Sequence, residues 1–241
     1  MPPARARSGS AARPYVHRPT SLAYDRSRRR ASNEAAGVNY RLAYSVGFHP
    51  WEDAERQPGF VEKFAELLGC EERGREHPQG KALDIGTGSG IWGIKLAERG
   101  WQVTGVDIVE RALQRAGERV QDAGVHMHLV QGDVTALREG AIGSDFELVL
   151  DTGTFHGLQD DERQAMGREV TAIAAEDATM LLLSWAPRHR GPLPRGAGRS
   201  EIEAAFPGWA VTDAGPTGFE APKPIELLMR PEERWFRLRR D

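Results

Sequence analysis

The chain has 241 residues, of which 39% are hydrophobic and 28% charged, enough apolar material for one sizeable core and too polar for a membrane protein. Its net charge of −3 hides an asymmetry: residues 1–30 carry eight arginines against Asp25 alone, a net +7 that leaves −10 for the remainder. A mildly acidic body offers no electrostatic footprint for nucleic acid, and the lack of any run of 18 apolar residues argues against a transmembrane helix.

Cys70 is the single cysteine, so no internal disulfide, thiolate zinc site or iron–sulfur cluster is available and a reducing, cytoplasmic setting is expected. Residues 1–39 lack a secretory apolar region and read as a basic, flexible tail. Their Arg- and Ser-rich composition also fits an organellar transit peptide. Arg outnumbers Lys 28 to 4, the bias of chains from GC-rich bacterial genomes, which favours the tail.

From residue 40 onward, short apolar runs alternate with amphipathic stretches, the pattern of a doubly wound α/β sheet. Phe60, Phe64, Leu67 and Leu68 predict a first helix over 59–68. Strands are predicted at 81–85 and 102–106, with a glycine-rich turn and a helix at 91–98 between them. Val109, Ala112, Leu113, Ala116 and Val120 mark one face of the next helix.

Strands three and four are predicted at 125–130 and 146–150, then a helix over 161–175 with Met166, Val170, Ile173 and Ala174 inward. The apolar run 180–183 reads as a fifth strand covered on both faces. Residues 186–199 are too rich in Pro and Gly for regular structure. Ser200 with Glu203 reads as a capping box for a short helix ending near 207. Strands at 209–212 and 233–238 close the pattern as an antiparallel hairpin at the sheet edge. The expectation is one domain over 40–241, a seven-stranded, mostly parallel α/β sheet, with 40–58 as an N-terminal cap.

The most informative stretch is Ala82-Leu83-Asp84-Ile85-Gly86-Thr87-Gly88-Ser89-Gly90. Strand, glycine turn and helix bring backbone close to a ligand at the carboxyl end of a parallel sheet. Gly88 to Gly93 formally matches the dinucleotide pattern, with Asp107 about 20 residues on as a ribose acid. Asp84, however, stands where a pyrophosphate would approach the helix N-terminus. A carboxylate there repels phosphate and attracts a ligand bearing an ammonium and a sulfonium. S-adenosylmethionine (SAM) has both.

Asp84 to Gly90 resembles motif I of the class I SAM-dependent methyltransferases. Val106-Asp107-Ile108 is similar to their ribose-binding strand end, and Gln131-Gly132-Asp133-Val134 to their adenine segment. The resemblance spans about residues 50–240 and keeps order and spacing. It implies that Asp84, Gly86, Thr87, Gly88 and Gly90 hold the methionine part. It likewise implies Asp107 on the ribose hydroxyls, Ile108 on an adenine face, Asp133 on the adenine amine with Val134 beside it, and Asp151 at the methyl-facing end of the fourth strand.

The acceptor segment is Asp151-Thr152-Gly153-Thr154-Phe155-His156, where nucleic-acid and protein N-methyltransferases often carry Asn/Asp-Pro-Pro-aromatic. It is similar instead to small-molecule members related to the thiopurine, thiol and tellurite-resistance methyltransferases, as is Pro50-Trp51-Glu52, whose Trp51 would lie over the cofactor. Glu52 and Thr152 stand where those relatives carry Asp and Arg.

A thiol, with a pKa of about 8.5, needs little base, whereas a phenol or hydroxyl needs more, and His156 is the candidate general base. Phe155, Tyr40, Tyr44, Arg188 and Arg190 are candidate acceptor contacts, with Arg195 in the same loop. His126 and His128 are placed like a metal pair but have no third ligand, so they read as structural and no metal is expected. The expected partner is a small-molecule acceptor, foremost a thiol, with oxygen or nitrogen as the alternative, and neither nucleic acid nor a membrane. A SAM-binding protein with non-methylating chemistry is the rival reading.

Overall fold

A computed structural model describes residues 16–17, 50–188, 194–220 and 232–240, with side chains from residue 53 onward. The strands are β1 (Val16–His17), β2 (Gly80–Ile85), β3 (Trp101–Asp107), β4 (Met127–Gln131), β5 (Phe146–Asp151), β6 (Ala174–Trp185), β7 (Trp209–Pro216) and β8 (Glu233–Arg240). The helices are α1 (Pro58–Glu72), α2 (Ile91–Glu98), α3 (Glu110–Ala123), α4 (Asp160–Ile173) and α5 (Arg199–Ala205). The strands form one sheet in the order β1-β4-β3-β2-β5-β6-β8-β7. Neighbours from β1 to β6 are parallel, while β8 lies between β6 and β7 and runs antiparallel to both.

The seven expected strands are all present, and the order reverses direction on either side of β2, which opens the crevice where α/β sheets bind ligands. An eighth strand of two residues, Val16–His17, pairs with Leu129 and Val130 of β4; it falls within the segment read as a tail, whose other residues lie outside the described ones. No helix among the described residues is long and apolar enough to cross a membrane.

Each face of the sheet has its own core. On one side Ala82, Leu148, Leu150, Leu181, Leu183 and Trp235 pack against Phe60, Phe64, Leu67 and Leu68 of α1 and Trp92 and Leu96 of α2. On the other, Leu83, Ile85, Val106, Val149, Met180 and Leu182 meet Met166, Val170 and Ile173 of α4 and Ile202 of α5. The four apolar residues of α1 lie at i, i+4, i+7 and i+8, the spacing of one helical face, and Pro58 opens the helix where its missing N–H costs nothing. Three acids, Asp160, Asp161 and Glu162, occupy the first turn of α4, which suits the positive end of the helix dipole.

Two expectations need correction. The short helix starts at Arg199, and its capping contact is the Gly198 N–H donated to the Glu201 carboxylate at 3.1 Å. Glu203 instead pairs with Arg199, one turn earlier at i, i+4. β6 starts at Ala174, six residues before the predicted run, because the exposed Glu176 and Asp177 lie where its pairing with β5 is irregular, between Phe146 and Leu148.

Candidate active site

The turn after β2 is shaped by glycine. Gly86, Gly88 and Gly90 all have positive φ, +63°, +55° and +82°, a region costly for residues with a Cβ. Gly86 is also spatially constrained, since a Cβ there would come within 2.0 Å of Thr154 Oγ1. The Thr87 N–H donates to the Val106 carbonyl (2.9 Å) and the Gly90 N–H to the Thr87 carbonyl (2.8 Å), so the turn is anchored to β3 before α2 begins.

Three carboxylates lie at the ends of neighbouring strands: Asp107 on β3, Asp84 on β2 and Asp151 on β5. Asp107 accepts the Gly88 N–H (2.9 Å) and the Val109 N–H (2.7 Å), and burial raises its pKa against those bonds. Asp151 accepts three backbone N–H groups, from Gly153 (2.8 Å), Thr154 (2.6 Å) and Phe155 (2.9 Å). Burial nevertheless pushes it up to about 6.

Asp84 is 1% exposed. Its Oδ2 accepts the Thr87 hydroxyl at 2.6 Å, while Oδ1 has no hydrogen-bond partner among the described residues. Burial above all, then the charges of Asp151 and Asp107, push its pKa up to about 7, against the Thr87 bond that lowers it. A buried, unpartnered carboxylate oxygen is costly unless a donor completes it. An ammonium would. The residues present therefore fit SAM.

The adenine-side candidates follow β3 and β4. Asp133 Oδ1 accepts the Thr135 N–H (2.8 Å) and hydroxyl (2.7 Å). The Gln131 amide donates to the Ile108 carbonyl at 3.3 Å, and Val134 packs into the core beside Val106 and Val130.

On the acceptor side, His156 is 5% exposed. Its Nδ1 accepts the Trp185 backbone N–H at 3.2 Å, and the two rings pack 5.2 Å apart at 44°. An Nδ1 that accepts leaves the proton of the neutral ring on Nε2, a donor rather than a base. The Trp185 indole N–H in turn donates to Glu233 Oε1 at 2.7 Å, whose other oxygen accepts the Thr217 hydroxyl at 3.2 Å. Burial raises the Glu233 pKa, opposed by those two bonds.

Phe155 does not line the acceptor side. Its ring is fully buried, 5.7 Å from Phe206 and under the Arg163 guanidinium, because the 3-10 turn Phe155–Gly157 directs it into the core. Arg163, itself buried, donates to the carbonyls of Phe155 (3.2 Å), His156 (3.1 Å) and Gly196 (2.6 Å). Desolvation lowers its pKa to about 10. Arg195 is engaged by Asp160 and by the Leu158 carbonyl, and Arg188, exposed, donates its backbone N–H to the Arg195 carbonyl at 2.9 Å.

Trp51 lies in the 3-10 turn Pro50–Arg56, its side chain outside the described ones; Tyr40, Tyr44 and Arg190 also lie outside the described residues. His126 lies directly before β4 and is exposed, as is His128, whose Nε2 lies 3.1 Å from the Ala141 carbonyl.

Trp185, Glu233 and Arg163 escaped the sequence reading. An aromatic at the carboxyl end of a parallel strand was the signal for Trp185. Arg163 shares the i, i+3, i+7 spacing of Met166 and Val170, which places it on the buried face of its helix. Nothing in the sequence pointed to Glu233, which reaches Trp185 only through the pairing of β6 with β8.

Residues 82–177 match the model of a methyltransferase domain. The ribosomal RNA small subunit methyltransferase C of Alcanivorax borkumensis is 30% identical over 102 residues, 42% of this chain and 29% of that protein, so the chain spans less than a third of that relative. The 2-heptyl-1-hydroxyquinolin-4(1H)-one methyltransferase of Mycobacteroides abscessus is 28% identical over 175 residues, 69% of this chain and 71% of that protein. The structure of a Burkholderia thailandensis 1,6-didemethyltoxoflavin-N1-methyltransferase, with bound 1,6-didemethyltoxoflavin and S-adenosylhomocysteine, superposes with a TM-score of 0.60 at 20% identity, covering 92% of this chain and 93% of that one; the likeness is one of fold. The domain match and these relatives, with the glycine turn on β2 inside the matched segment, support a SAM-dependent methyltransferase.

Proposed function

We propose that the protein transfers the methyl group of SAM to a small-molecule acceptor whose nucleophile ionises readily on its own. The observation that carries this reading is the occupation of the polar groups after β5. All three bonds to Asp151 come from backbone N–H groups, and His156 Nδ1 is taken by Trp185. Bound SAM supplies a methyl group on a sulfonium, an activated carbon for in-line displacement. The acceptor's lone pair takes that carbon, the electrons of the broken C–S bond stay on sulfur, and the acceptor's proton leaves to solvent.

The chain's own residues bind and orient. Asp84 receives the ammonium, with Gly86, Thr87, Gly88 and Gly90 around the methionine part. Asp107 takes the ribose hydroxyls, and Ile108, Asp133 and Val134 enclose the adenine. Asp151 rigidifies the acceptor turn. The acidic body speaks against nucleic acid as acceptor.

A thiol is the first acceptor to test, because it is a few per cent ionised near neutrality and because Pro50-Trp51-Glu52 resembles the thiol-methylating subgroup. An acidic O–H or N–H is the second reading, favoured by the quinolone methyltransferase aligned over most of both chains. Methyl-labelled SAM incubated with thiols, hydroxyquinolines, phenols, amines and simple alcohols tests both. Label on acceptors in proportion to their ionised fraction supports the proposal. Label on simple alcohols overturns it, and SAM binding with no label on any acceptor points to non-methylating chemistry.

A further inference from the structure

Along β6 the side chains alternate between the two cores. Leu181 and Leu183 face the α1–α2 side, and Trp185 packs against the same cluster. Leu181 is in register with Leu150, and Leu150 with Asp84. Trp185 therefore stands on the Asp84 face of the sheet, two strands across, about 10 Å, and about 13 Å farther toward the carboxyl end. That displacement carries it three residues past Leu182, the partner of Asp151, and so beyond the carboxyl end of β5.

Two side chains, Glu233 and His156, hold Trp185. Glu233 Oε1 holds Nε1 at 2.7 Å, the His156 ring packs at 5.2 Å, and its backbone N–H is spent on His156 Nδ1. Glu233 is itself anchored by the Thr217 hydroxyl, and by its carbonyl accepting the Thr217 N–H at 3.2 Å. Trp185 remains only partly buried. A preset aromatic surface binds a flat partner with little ordering cost. A carboxylate on the indole N–H also enriches the ring in electrons, which favours stacking with an electron-poor heterocycle.

We propose that Trp185 is the platform on which the methyl acceptor stacks, so that it selects acceptors carrying a flat aromatic or heteroaromatic ring. The inference rests on the small-molecule methyl transfer proposed above. Trp185 sets specificity, and Glu233 and His156 are positioning residues that hold it.

The test uses the full chain labelled with 5-fluorotryptophan, the Trp185 resonance being assigned from Trp185→Phe. With S-adenosylhomocysteine present, 1-hydroxyquinolin-4(1H)-one is expected to shift that resonance saturably, and 2-mercaptoethanol to leave it in place. In turnover with labelled SAM, Trp185→Leu is expected to raise KM for the ring acceptor about tenfold, the effect of losing one stacking contact, with kcat little changed. Trp185→Phe retains most of the wild-type KM, and SAM affinity is the same in all three. Ring methylation with an unmoved Trp185 resonance, or an equal KM rise for ring and acyclic acceptors in Trp185→Leu, overturns the platform while leaving methyl transfer standing. A shifted resonance without methylation keeps the platform and sinks the methyl-transfer reading. An unmoved resonance without methylation overturns both.

Discussion

Arg163 donates to the carbonyl of Gly196 across 2.6 Å, joining the helix after β5 to the loop after β6. The same guanidinium holds the carbonyls of Phe155 and His156, so one buried cation fixes the two loops that border the acceptor side.

Replacing Arg163 with Met leaves three carbonyls without their donor, and Lys cannot reproduce the planar fork. Both variants are expected to lose about 3 kcal/mol in urea denaturation. Because the loops carry His156 and the approach to Trp185, KM for the acceptor should rise while SAM affinity stays near wild type.

Asp84 couples the site to pH. Its carboxyl titrates near 7 in the fold against about 3.9 in the unfolded chain. The folded state therefore holds a proton that the unfolded state gives up, and stability of the ligand-free protein falls as pH rises from about 4 to about 7. Asp151, near 6, adds to the same slope. Asp84→Asn is expected to flatten this slope and raise the ligand-free melting temperature at pH 8. Because an ammonium requires the ionised form, SAM affinity in the wild type should increase through pH 7 with proton release. Calorimetry in buffers of different ionisation enthalpy reads both effects.

Gly86→Ala places a methyl group 2.0 Å from Thr154 Oγ1 at a φ of +63°. It is expected to abolish SAM binding and to cost about 2 kcal/mol of stability, of which the left-handed backbone accounts for about 1 kcal/mol. Adding Thr154→Ala removes the clash and leaves the backbone strain, so the double variant should recover part of the stability in a thermal melt.

His156→Asn keeps an acceptor that the Trp185 N–H can reach. Loss of a general base would cost about 100-fold or more in kcat and flatten one limb of the pH profile. The Nδ1 bond predicts a much smaller loss with the shape of the profile retained, measured on whichever acceptor takes label.

The alternation of apolar runs and amphipathic stretches was enough to place the seven strands from β2 to β8 and the sheet's mostly parallel character, because each contains a short apolar-rich stretch bounded by polar residues or glycine. The cofactor turn was legible for a related reason: its glycines and Asp84 are adjacent in sequence, so the local pattern is the site. The acceptor side was not. Phe155 belongs by resemblance to the acceptor segment 151–156, but one turn of 3-10 helix rotates its ring into the core against Phe206. Trp185 and Glu233, 48 residues apart, meet only because β8 threads beside β6, a long-range pairing that no local pattern encodes.

The position of β8 has a further consequence, for the order in which the molecule assembles. β7 touches the sheet only through β8, so it cannot be incorporated when it is made; it waits for a strand that follows it. Until residues 233–240 arrive, the outer edge of β6 is an open ladder of backbone donors and acceptors, the kind of edge that recruits foreign strands. The interval between synthesis of β6 and capture by β8 is thus the window in which a nascent chain is most exposed to misassociation, and the Trp185–Glu233 contact cannot form until that window closes.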